Sequence, residues 1–518
     1  MEVIKLTAVN MQSGPATGAA SASPLLQIAL CLLPALALGA AVPLVMDLPV
    51  MWAALVILAI CGAFAAVVML LVKLALVPLL RLLLLTSFWI TLDINLFPIF
   101  KNNEEPPGLN ISLTLILSLL LGAAWLNERR RMNERAPVFP RAFAMTLAAI
   151  LLWCSLTVAY GAEGMLGIYG LWAAAASMFT CFIVAAHFRD RRALHQTLIF
   201  IAIIMGLNAI LGIAQSLIPS LSDISLGETI INDPVIVEDV EVSRVRALFS
   251  KPNTFAWYLG VFLPVVIAPL LLRLTNLSRW GRALCVVAAG LGVVALILTY
   301  SRGSWIAFAV SALLMAVSAL FILKADERKR VIFRFAGAAV AISLLAIPFS
   351  GKIISRLIDD DRGAAEIRLP MIDVALAMIA DNPVLGVGLS SYESVMRNYD
   401  ETPELVTEHF DWPVHNVYLH IAAETGLPGL LLFLALVVMA SWRGWMVLRN
   451  SGADPMLRAM ALGLMAGMAA YLITGLKEGS CFQTGLMRPF FLLCGLLLAN
   501  ERASRRTAAV SDERNHTD

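Results

Sequence analysis

Long apolar segments recur along most of the chain, and they constrain its fold more than any other feature. Of 518 residues, 60% are hydrophobic and only 14% are charged. About 20 consecutive apolar residues are enough to cross a lipid bilayer as a helix. The sequence therefore predicts an all-α polytopic membrane protein with twelve to fourteen transmembrane helices, fourteen being favoured. The predicted spans are 25–45, 51–72, 75–97, 110–126, 140–160, 164–186, 194–215, 254–272, 283–300, 303–323, 332–349, 425–445, 457–475 and 480–499.

Residues 51–97 leave the number of spans open, because Lys73, Pro78 and Arg81 allow this apolar stretch to be divided differently. The polar residues before Leu25 lack the basic region of a signal peptide, so the first span is predicted to be retained. The seven cysteines form no CxxC pair, which argues against disulfide or zinc chemistry. The net charge of +2 predicts no nucleic-acid partner.

Basic residues follow the even-numbered spans and predict the orientation of the chain. Lys and Arg concentrate in the cytoplasmic loops of membrane proteins, so these loops and both termini are predicted to be cytoplasmic. The long loops 216–253 and 350–424 then face outward, and the second carries thirteen acidic against five basic residues. The basic clusters are Arg129, Arg130, Arg131 and Arg135; Arg189, Arg191 and Arg192; Arg273, Arg279 and Arg282; Lys324, Arg328, Lys329 and Arg330; Arg443, Arg449 and Arg458; and Arg502, Arg505 and Arg506.

Three cations at the end of the first outer loop suit an anionic ligand. Arg244, Arg246 and Lys251 lie within eight residues, and guanidinium groups bind phosphate oxygens bidentately. The helix predicted after Pro252 adds free N–H groups and a partial positive charge. The alternative is that the arginines pair with acidic residues of the same loop, which are Glu238, Asp239 and Glu241.

Two further arginines lie outside the basic clusters, and the first departs from the orientation pattern. Arg302 lies in the short outer turn 300–305, where a lone cation needs a partner at the membrane edge. It either extends to lipid phosphates or grips the phosphate of a lipid-linked substrate. Arg488 lies in the last predicted span, either as an additional anion contact or as a partner of Glu478.

The second outer loop ends at His415, directly before an apolar span. Histidine can accept a proton near neutral pH, although an interfacial histidine at a helix start is the simpler alternative. The spacing of His409, Asp411, His415 and His420 does not fit a helical zinc site, so no metal is predicted. The acidic residues Asp359, Asp360 and Asp361 are interpreted as a solvated turn.

Earlier in the same loop, Pro370 and Asn382-Pro383 bracket a predicted helix of about three turns, whose apolar positions predict packing on the membrane domain. Gly386 and Gly388 then predict a tight backbone turn. The βαβ frame of a dinucleotide site is absent around them.

Three stretches, read together, resemble a known family. They are 246–256 (RALFSKPNTFA), 301–304 (SRGS) and 415–426, which begins HNVYL and ends ETG. The helix from Arg368 and the following LGVG also contribute. Their order, spacing and placement on one membrane face resemble the O-antigen ligase/O-antigen polymerase superfamily of bacterial inner-membrane glycosyltransferases, over roughly residues 200–500.

This resemblance implies a GT-C-like, metal-independent enzyme without a cofactor. The donor would be an undecaprenyl-diphosphate-linked glycan, and the acceptor lipid A–core for a ligase or another lipid-linked repeat for a polymerase. By the same resemblance, His415 activates the acceptor hydroxyl, and Arg246 and Arg302 hold the donor diphosphate. The candidate supporting residues are Arg244, Lys251, Asn253, Arg368, Asn416, Glu424 and Arg488.

The predicted organisation places the chemistry on the periplasmic face of the inner membrane. The divisions are a cytoplasmic tail 1–24, transmembrane helices 25–215, a periplasmic loop 216–253, transmembrane helices 254–349, a large helical periplasmic loop 350–424, transmembrane helices 425–499 and a cytoplasmic tail 500–518.

Two alternatives remain open at the level of sequence. The first is an O-antigen or exopolysaccharide polymerase that joins lipid-linked repeats. The second is a transporter or flippase for a lipid-linked glycan, which would carry charges along a path through many spans. The intramembrane charges here are sparse and the notable ones lie at one face, which favours an enzyme.

Overall fold

The computed structural model describes most of the chain from residue 76 onward. The described residues are 76–89, 93–97, 108–132, 137–223, 235–237, 240–272, 277–323, 325–358, 364–403, 405–478 and 484–515. The predicted spans 25–45 and 51–72, and the acidic turn at 359–361, lie outside these residues.

The described part of the chain is mainly helical, with two short antiparallel hairpins, β1–β2 and β3–β4. The strands are β1 (Asp93–Leu96), β2 (Leu109–Ser112), β3 (Val235–Val237) and β4 (Val240–Val242). The helices are α1 (Leu76–Thr86), α2 (Leu113–Met132), α3 (Arg141–Tyr160), α4 (Gly164–His187), α5 (Arg191–Leu217), α6 (Pro252–Leu272), α7 (Arg279–Leu298), α8 (Arg302–Ile322), α9 (Ala325–Ala346), α10 (Ser350–Ile358), α11 (Ala364–Asp381), α12 (Tyr392–Val395), α13 (Val406–His409), α14 (Val417–Arg449), α15 (Pro455–Thr474) and α16 (Thr484–Asn515).

Within the described residues, 9 helical segments are long and apolar enough to cross a membrane. They are α3 to α8, α14, α15 and a segment at 327–349 that contains most of α9. Each corresponds to a predicted span. The predicted all-α polytopic membrane fold is thereby confirmed.

The predicted span 75–97 differs from the structure. The helix α1 ends at Thr86, and Asp93 begins a strand whose partner is Ser112 in β2. The polar residues of this hairpin explain the difference, since a membrane-spanning helix would expose them to lipid. In the hairpin, Asn110 donates a hydrogen bond of 3.0 Å to Asn95, and Arg488 forms an ion pair of 2.6 Å with Asp93.

The helix α6 forms the centre of the bundle and is almost entirely buried. It packs against α7, α8 and most extensively against α15. A side chain at Gly467 of α15 would come within 2.4 Å of the Val261 carbonyl oxygen, so the lack of a Cβ atom permits the close approach of these two helices.

The basic loops are tied together at one end of the bundle, here called the basic end. Arg189 pairs with Glu128 at 2.8 Å, Arg191 with Asp454 at 2.7 Å, and Arg443 with Glu501 at 3.0 Å. These ion pairs join α2 to the connection between α4 and α5, the start of α5 to the start of α15, and the C-terminal part of α14 to the middle of α16. The opposite end, where α6, α8 and α14 begin, is called the site end.

The helix of the second outer loop is longer than predicted. It begins at Ala364, upstream of Pro370, and ends at Asp381 as expected. Ala364, Ala365 and Glu366 are strong helix formers, so the helix starts before the proline. The predicted packing on the membrane domain is confirmed, because α11 contacts α14 and its Val374 and Met378 are buried.

Candidate active site

Three helix starts converge at the site end of the bundle. The helices α6, α8 and α14 begin at Pro252, Arg302 and Val417, and all three pack against α15, which ends there at Thr474. The first turn of a helix carries a partial positive charge. The first N–H groups of α14 are taken by Asn416 and Gly475, so the starts of α6 and α8 contribute most to the preference of this corner for negative charge.

His415 lies at this corner in a form suited to accepting a proton. Its Nδ1 atom is 3.1 Å from the carbonyl oxygen of Pro413. A carbonyl can only accept a hydrogen bond, so Nδ1 carries the hydrogen and Nε2 carries the basic lone pair.

The surroundings of His415 favour the neutral ring. Burial lowers the pKa of His415, and the cations Arg368 and Lys251 lower it further. The carboxylate of Glu478 and the hydrogen bond to Pro413 act in the opposite direction but do not cancel the effect of burial. The imidazole is therefore neutral at pH 7 and available as a base.

Asn416 fixes the position of its neighbour His415. The Asn416 side-chain oxygen accepts hydrogen bonds from the backbone N–H groups of Tyr418 and Leu419, at 3.0 and 3.1 Å, and so caps α14. The backbone N–H of Val417 donates to Gly475 at 2.8 Å, just after the end of α15. The backbone of the residues that follow His415 therefore holds this histidine close to the end of α15.

Arg244 and Asn253 meet beside the start of α6. Arg244 is buried; its Nε donates a hydrogen bond of 2.7 Å to the carbonyl of Thr299, and its Nη2 donates to the side-chain oxygen of Asn253. Thr299 lies just before the turn that leads to Arg302. The arginine therefore joins the loop before α6 to the turn between α7 and α8.

Arg246 points into the protein. It is 2% exposed, and its guanidinium donates to two backbone carbonyls, Phe249 at 2.8 Å and Ser222. Gln215, at the end of α5, accepts from the backbone N–H of Arg246 and of Ala247, where the backbone has a positive φ of 51°. In this conformation the guanidinium shapes the loop.

Arg302 and Lys477 meet at the turn between α7 and α8. Arg302 is the first residue of α8 and is partly exposed. The Lys477 ammonium lies 3.2 Å from the hydroxyl of Ser301, and 3.3 Å from the carboxylate of Glu478. A lysine and an arginine from distant parts of the chain therefore share one turn.

Lys251 and Arg368 complete the positive surroundings of His415. The Lys251 ammonium lies 5.1 Å from the ring centre of Trp412, a cation–π contact. Arg368 is exposed on α11. Both are close enough to lower the pKa of His415. Arg368 and Arg244 in turn act on Lys477, whose ammonium contacts Ser301, the residue before Arg302. Lys477 therefore connects the cations beside His415 with the turn that carries Arg302.

Glu424, in the first part of α14, is buried and only 2% exposed. Its Oε1 accepts a hydrogen bond of 3.2 Å from the backbone N–H of Tyr392, and lies 3.3 Å from Nε2 of His420. Its other oxygen is buried without a hydrogen-bond partner among the described residues. Glu424 therefore fastens the outer loop to α14.

The segment after α11 closes over a break in α14. Gly426 has a φ of 70°, which interrupts the helix. Val387 and Gly388 donate hydrogen bonds to Ala423 and Glu424, and Leu427 donates to Pro383. The tight turn predicted at Gly386 and Gly388 is confirmed, since both have positive φ angles.

Residues 287–434 match a family model described as O-antigen ligase. The predicted resemblance to the O-antigen ligase/polymerase superfamily is confirmed. The matched stretch includes Arg302, His415 and Glu424 but ends before Lys477. No curated protein matches the chain. The match and the apolar helices together support a multi-pass membrane protein with activity of the O-antigen ligase or polymerase type.

Arg488 lies in a different part of the protein. It is 5% exposed near the start of α16. Its Nη2 lies 2.6 Å from Asp93 and 3.1 Å from the side chain of Asn110. Its ion pair is thus with Asp93, whereas Glu478 pairs with Lys477. Arg488 holds the β1–β2 hairpin against α16.

His415 does not line the apolar cavity of the bundle, and the described residues around it offer no metal site. Within the part of the chain that the structure describes, no group of three or more His, Cys, Asp or Glu residues is placed to hold a metal ion. An apolar cavity of about 60 Å³ lies between α3, α4, α14, α15 and α16. Its lining includes Trp153, Phe433 and Tyr471, so its character is hydrophobic.

The sequence argument missed Lys477. It follows the end of α15 at the site end, where a basic residue departs from the predicted orientation pattern as Arg302 does. The same reasoning, applied to every cation at a predicted outer end of a span, identifies it as a candidate.

Proposed function

We propose that this protein transfers a glycan from undecaprenyl diphosphate to a hydroxyl group of lipid A–core, at the periplasmic face of the bacterial inner membrane. One observation carries the proposal: a neutral histidine, with Nε2 as its basic atom, lies at a corner where three helix starts and several cations converge. A proton acceptor beside an anion site is what transfer from a diphosphate requires.

The proposed step balances without a metal. The acceptor hydroxyl gives its proton to Nε2 of His415, and its oxygen forms a bond to the anomeric carbon. The bond from that carbon to the diphosphate oxygen breaks, and undecaprenyl diphosphate leaves with the electron pair. Attack opposite the leaving group inverts the anomeric centre. Preorganised cations stabilise the negative charge that grows on the diphosphate.

Among these cations, Arg302 has the geometry expected of a diphosphate ligand. It is partly exposed at a helix start, so its guanidinium and the first N–H groups of α8 can address the same anion. We assign Arg246 a supporting role in the loop, because its guanidinium donates to the carbonyls of Phe249 and Ser222.

The proposal is tested by assaying transfer in purified protein with lipid-linked donor and lipid A–core. His415→Ala is expected to lose transfer by a factor of about 10²–10⁴, typical for a general base, while still binding the donor. His409→Ala, which changes an exposed histidine of the same loop, is the matched control and retains activity. Full transfer by His415→Ala would exclude the proposed base.

Donor binding is tested separately with Arg302. Arg302→Ala is expected to weaken the binding of undecaprenyl diphosphate, whereas Lys329→Ala, an exposed cation near the basic end, leaves it unchanged. Replacing lipid A–core by a lipid-linked repeat in the same assay separates the ligase from a polymerase. Transfer to the repeat alone would reassign the acceptor without changing the roles of His415 and Arg302.

A further inference from the structure

Lys477 connects the two halves of the candidate site. It follows the end of α15, and its backbone N–H donates a hydrogen bond of 3.0 Å to Thr474. The adjacent residues Gly475 and Leu476 accept hydrogen bonds from Val417 and Asn416, beside His415. Its ammonium reaches the other half, 3.2 Å from the Ser301 hydroxyl. The lysine is therefore positioned by the histidine side and points to the Arg302 side.

The path of this side chain depends on Gly303. A Cβ atom at position 303 would lie 2.0 Å from Cδ and 2.1 Å from Cε of Lys477. Glycine lowers the stability of a helix relative to alanine. At position 303 the lack of a Cβ atom leaves room for the Lys477 stem to pass across the first turn of α8.

The charges around Lys477 favour a bound anion. Burial lowers the pKa of Lys477, and the neighbouring cations Arg368 and Arg244 lower it further. Glu478 acts in the opposite direction through its ion pair. Cations held close together repel one another, and a ligand with two or more negative charges relieves that repulsion.

We propose that Lys477 is a further ligand of the donor diphosphate, acting beside Arg302. This inference rests on the proposed transfer function. Glu478 and Ser301 hold the ammonium, and a phosphate oxygen of the bound glycan donor takes over one of its three N–H groups. The ligand chemistry is a diphosphate ester at the membrane surface.

Two substitutions at position 477 separate charge from packing. Lys477→Met keeps an unbranched stem across Gly303 but removes the charge, and Lys477→Arg keeps the charge. Binding of undecaprenyl diphosphate in detergent micelles is measured by calorimetry. The methionine variant is expected to bind about tenfold or more weakly, since a charge-assisted contact is lost, and the arginine variant to recover most of the affinity. In the transfer assay, KM for the donor rises and KM for the acceptor stays unchanged.

Gly303 gives an independent way to move the lysine. Gly303→Ala is expected to displace the Lys477 stem and to weaken donor binding, although no charge is altered. In the Lys477→Ala background the same substitution costs no further affinity, because no stem remains to be displaced. Gly290→Ala, which adds a Cβ atom where nothing lies within 4 Å, is the matched control in both backgrounds.

The outcomes distinguish this proposal from the transfer function. Wild-type affinity of Lys477→Met for undecaprenyl diphosphate would overturn the role of Lys477, while loss of transfer in His415→Ala would still support the enzyme. Weakened binding of undecaprenyl diphosphate by Lys477→Met, together with full transfer by His415→Ala, would support the diphosphate site and exclude His415 as the base. Vesicles of phosphatidylglycerol test whether Lys477 binds the phosphate of a lipid headgroup instead. If Lys477→Met weakened binding to these vesicles but not to undecaprenyl diphosphate, Lys477 would be a contact for bulk lipid and the proposal would be overturned.

Discussion

Two arginines that look equivalent in the sequence have different surroundings in the structure. Arg246 and Arg302 both lie on turns at the site end of the bundle and both belong to the stretches that resemble the O-antigen ligase family. The Arg246 guanidinium is buried against carbonyl oxygens, whereas Arg302 is partly exposed at the start of α8. The first arrangement stabilises a loop, and the second leaves a cation at the surface where a ligand can reach it.

We therefore expect Arg246→Ala to act through stability. It removes the donors that serve the carbonyls of Phe249 and Ser222, and each buried acceptor left without a donor costs about 1–3 kcal/mol. The midpoint of thermal unfolding in detergent should fall by several degrees. Arg302→Ala is the comparison and should keep the wild-type midpoint. A normal midpoint for Arg246→Ala together with lost donor binding would instead make Arg246 a direct ligand.

The charges around His415 predict how its activity depends on pH. Removing a carboxylate disfavours the imidazolium, so Glu478→Gln should lower the pKa of His415 further. The base then stays neutral to lower pH, and the acidic limb of the kcat/KM profile shifts downward. Arg368→Gln removes a cation and should shift that limb upward. Glu401→Gln, an exposed carboxylate of the same loop, serves as the control. Shifts of the same sign for the two variants would contradict this electrostatic account.

The sequence identified several residues that the structure brings together at one end of the bundle, but not the contacts among them. His415 and Arg302 stand out because each is a polar residue at the mouth of an apolar segment. Lys477 and Ser301 are 176 positions apart, and a single sequence contains no signal that these two residues meet. The inward direction of the Arg246 guanidinium depends on Gln215 and the backbone of the loop, which residue types alone do not reveal.

At the scale of elements, the break in α14 explains why an outer loop can lie so close to the site. A continuous helix would leave no backbone groups for the loop to bind. At the break, Trp153 donates a hydrogen bond of 2.7 Å to the carbonyl of Thr425, and the segment after α11 binds the neighbouring groups. The sequence predicted the tight turn in that segment but treated 425–445 as an ordinary span. The break became apparent only from tertiary contacts.

Gly426 should be intolerant of substitution. Its φ of 70° and ψ of 175° lie in a region that essentially only glycine populates, which costs another residue about 1–3 kcal/mol, and a Cβ atom would lie 1.9 Å from the carbonyl oxygen of Val384. Gly426→Ala is expected to lower both the unfolding midpoint and the transfer rate. Gly290→Ala is the matched control and should leave both unchanged or raise stability slightly. Unaltered stability of Gly426→Ala would mean that the loop does not depend on this break.

At the scale of the whole molecule, successive helices run in opposite directions and so place two groups of basic residues at opposite ends of the bundle. The ion-paired basic loops lie at one end, and the cations around His415 lie at the other. The sequence predicted this separation from the parity of the spans alone, without tertiary information. The prediction of a membrane span at residues 75–97 was wrong. There, Asp93 begins a strand of a hairpin and forms an ion pair with Arg488, which lies far along the chain.

The orientation of the two ends is a prediction that follows from the basic loops. In a background in which all seven native cysteines are replaced by serine, Glu401→Cys places an exposed thiol in the loop that leads to His415, and Lys329→Cys places one near the basic end. A membrane-impermeant maleimide is expected to label Glu401→Cys in spheroplasts and to label Lys329→Cys only after the membrane is permeabilised. The reverse pattern would put His415 on the cytoplasmic side. It would then exclude a periplasmic acceptor, whatever the roles of the individual residues.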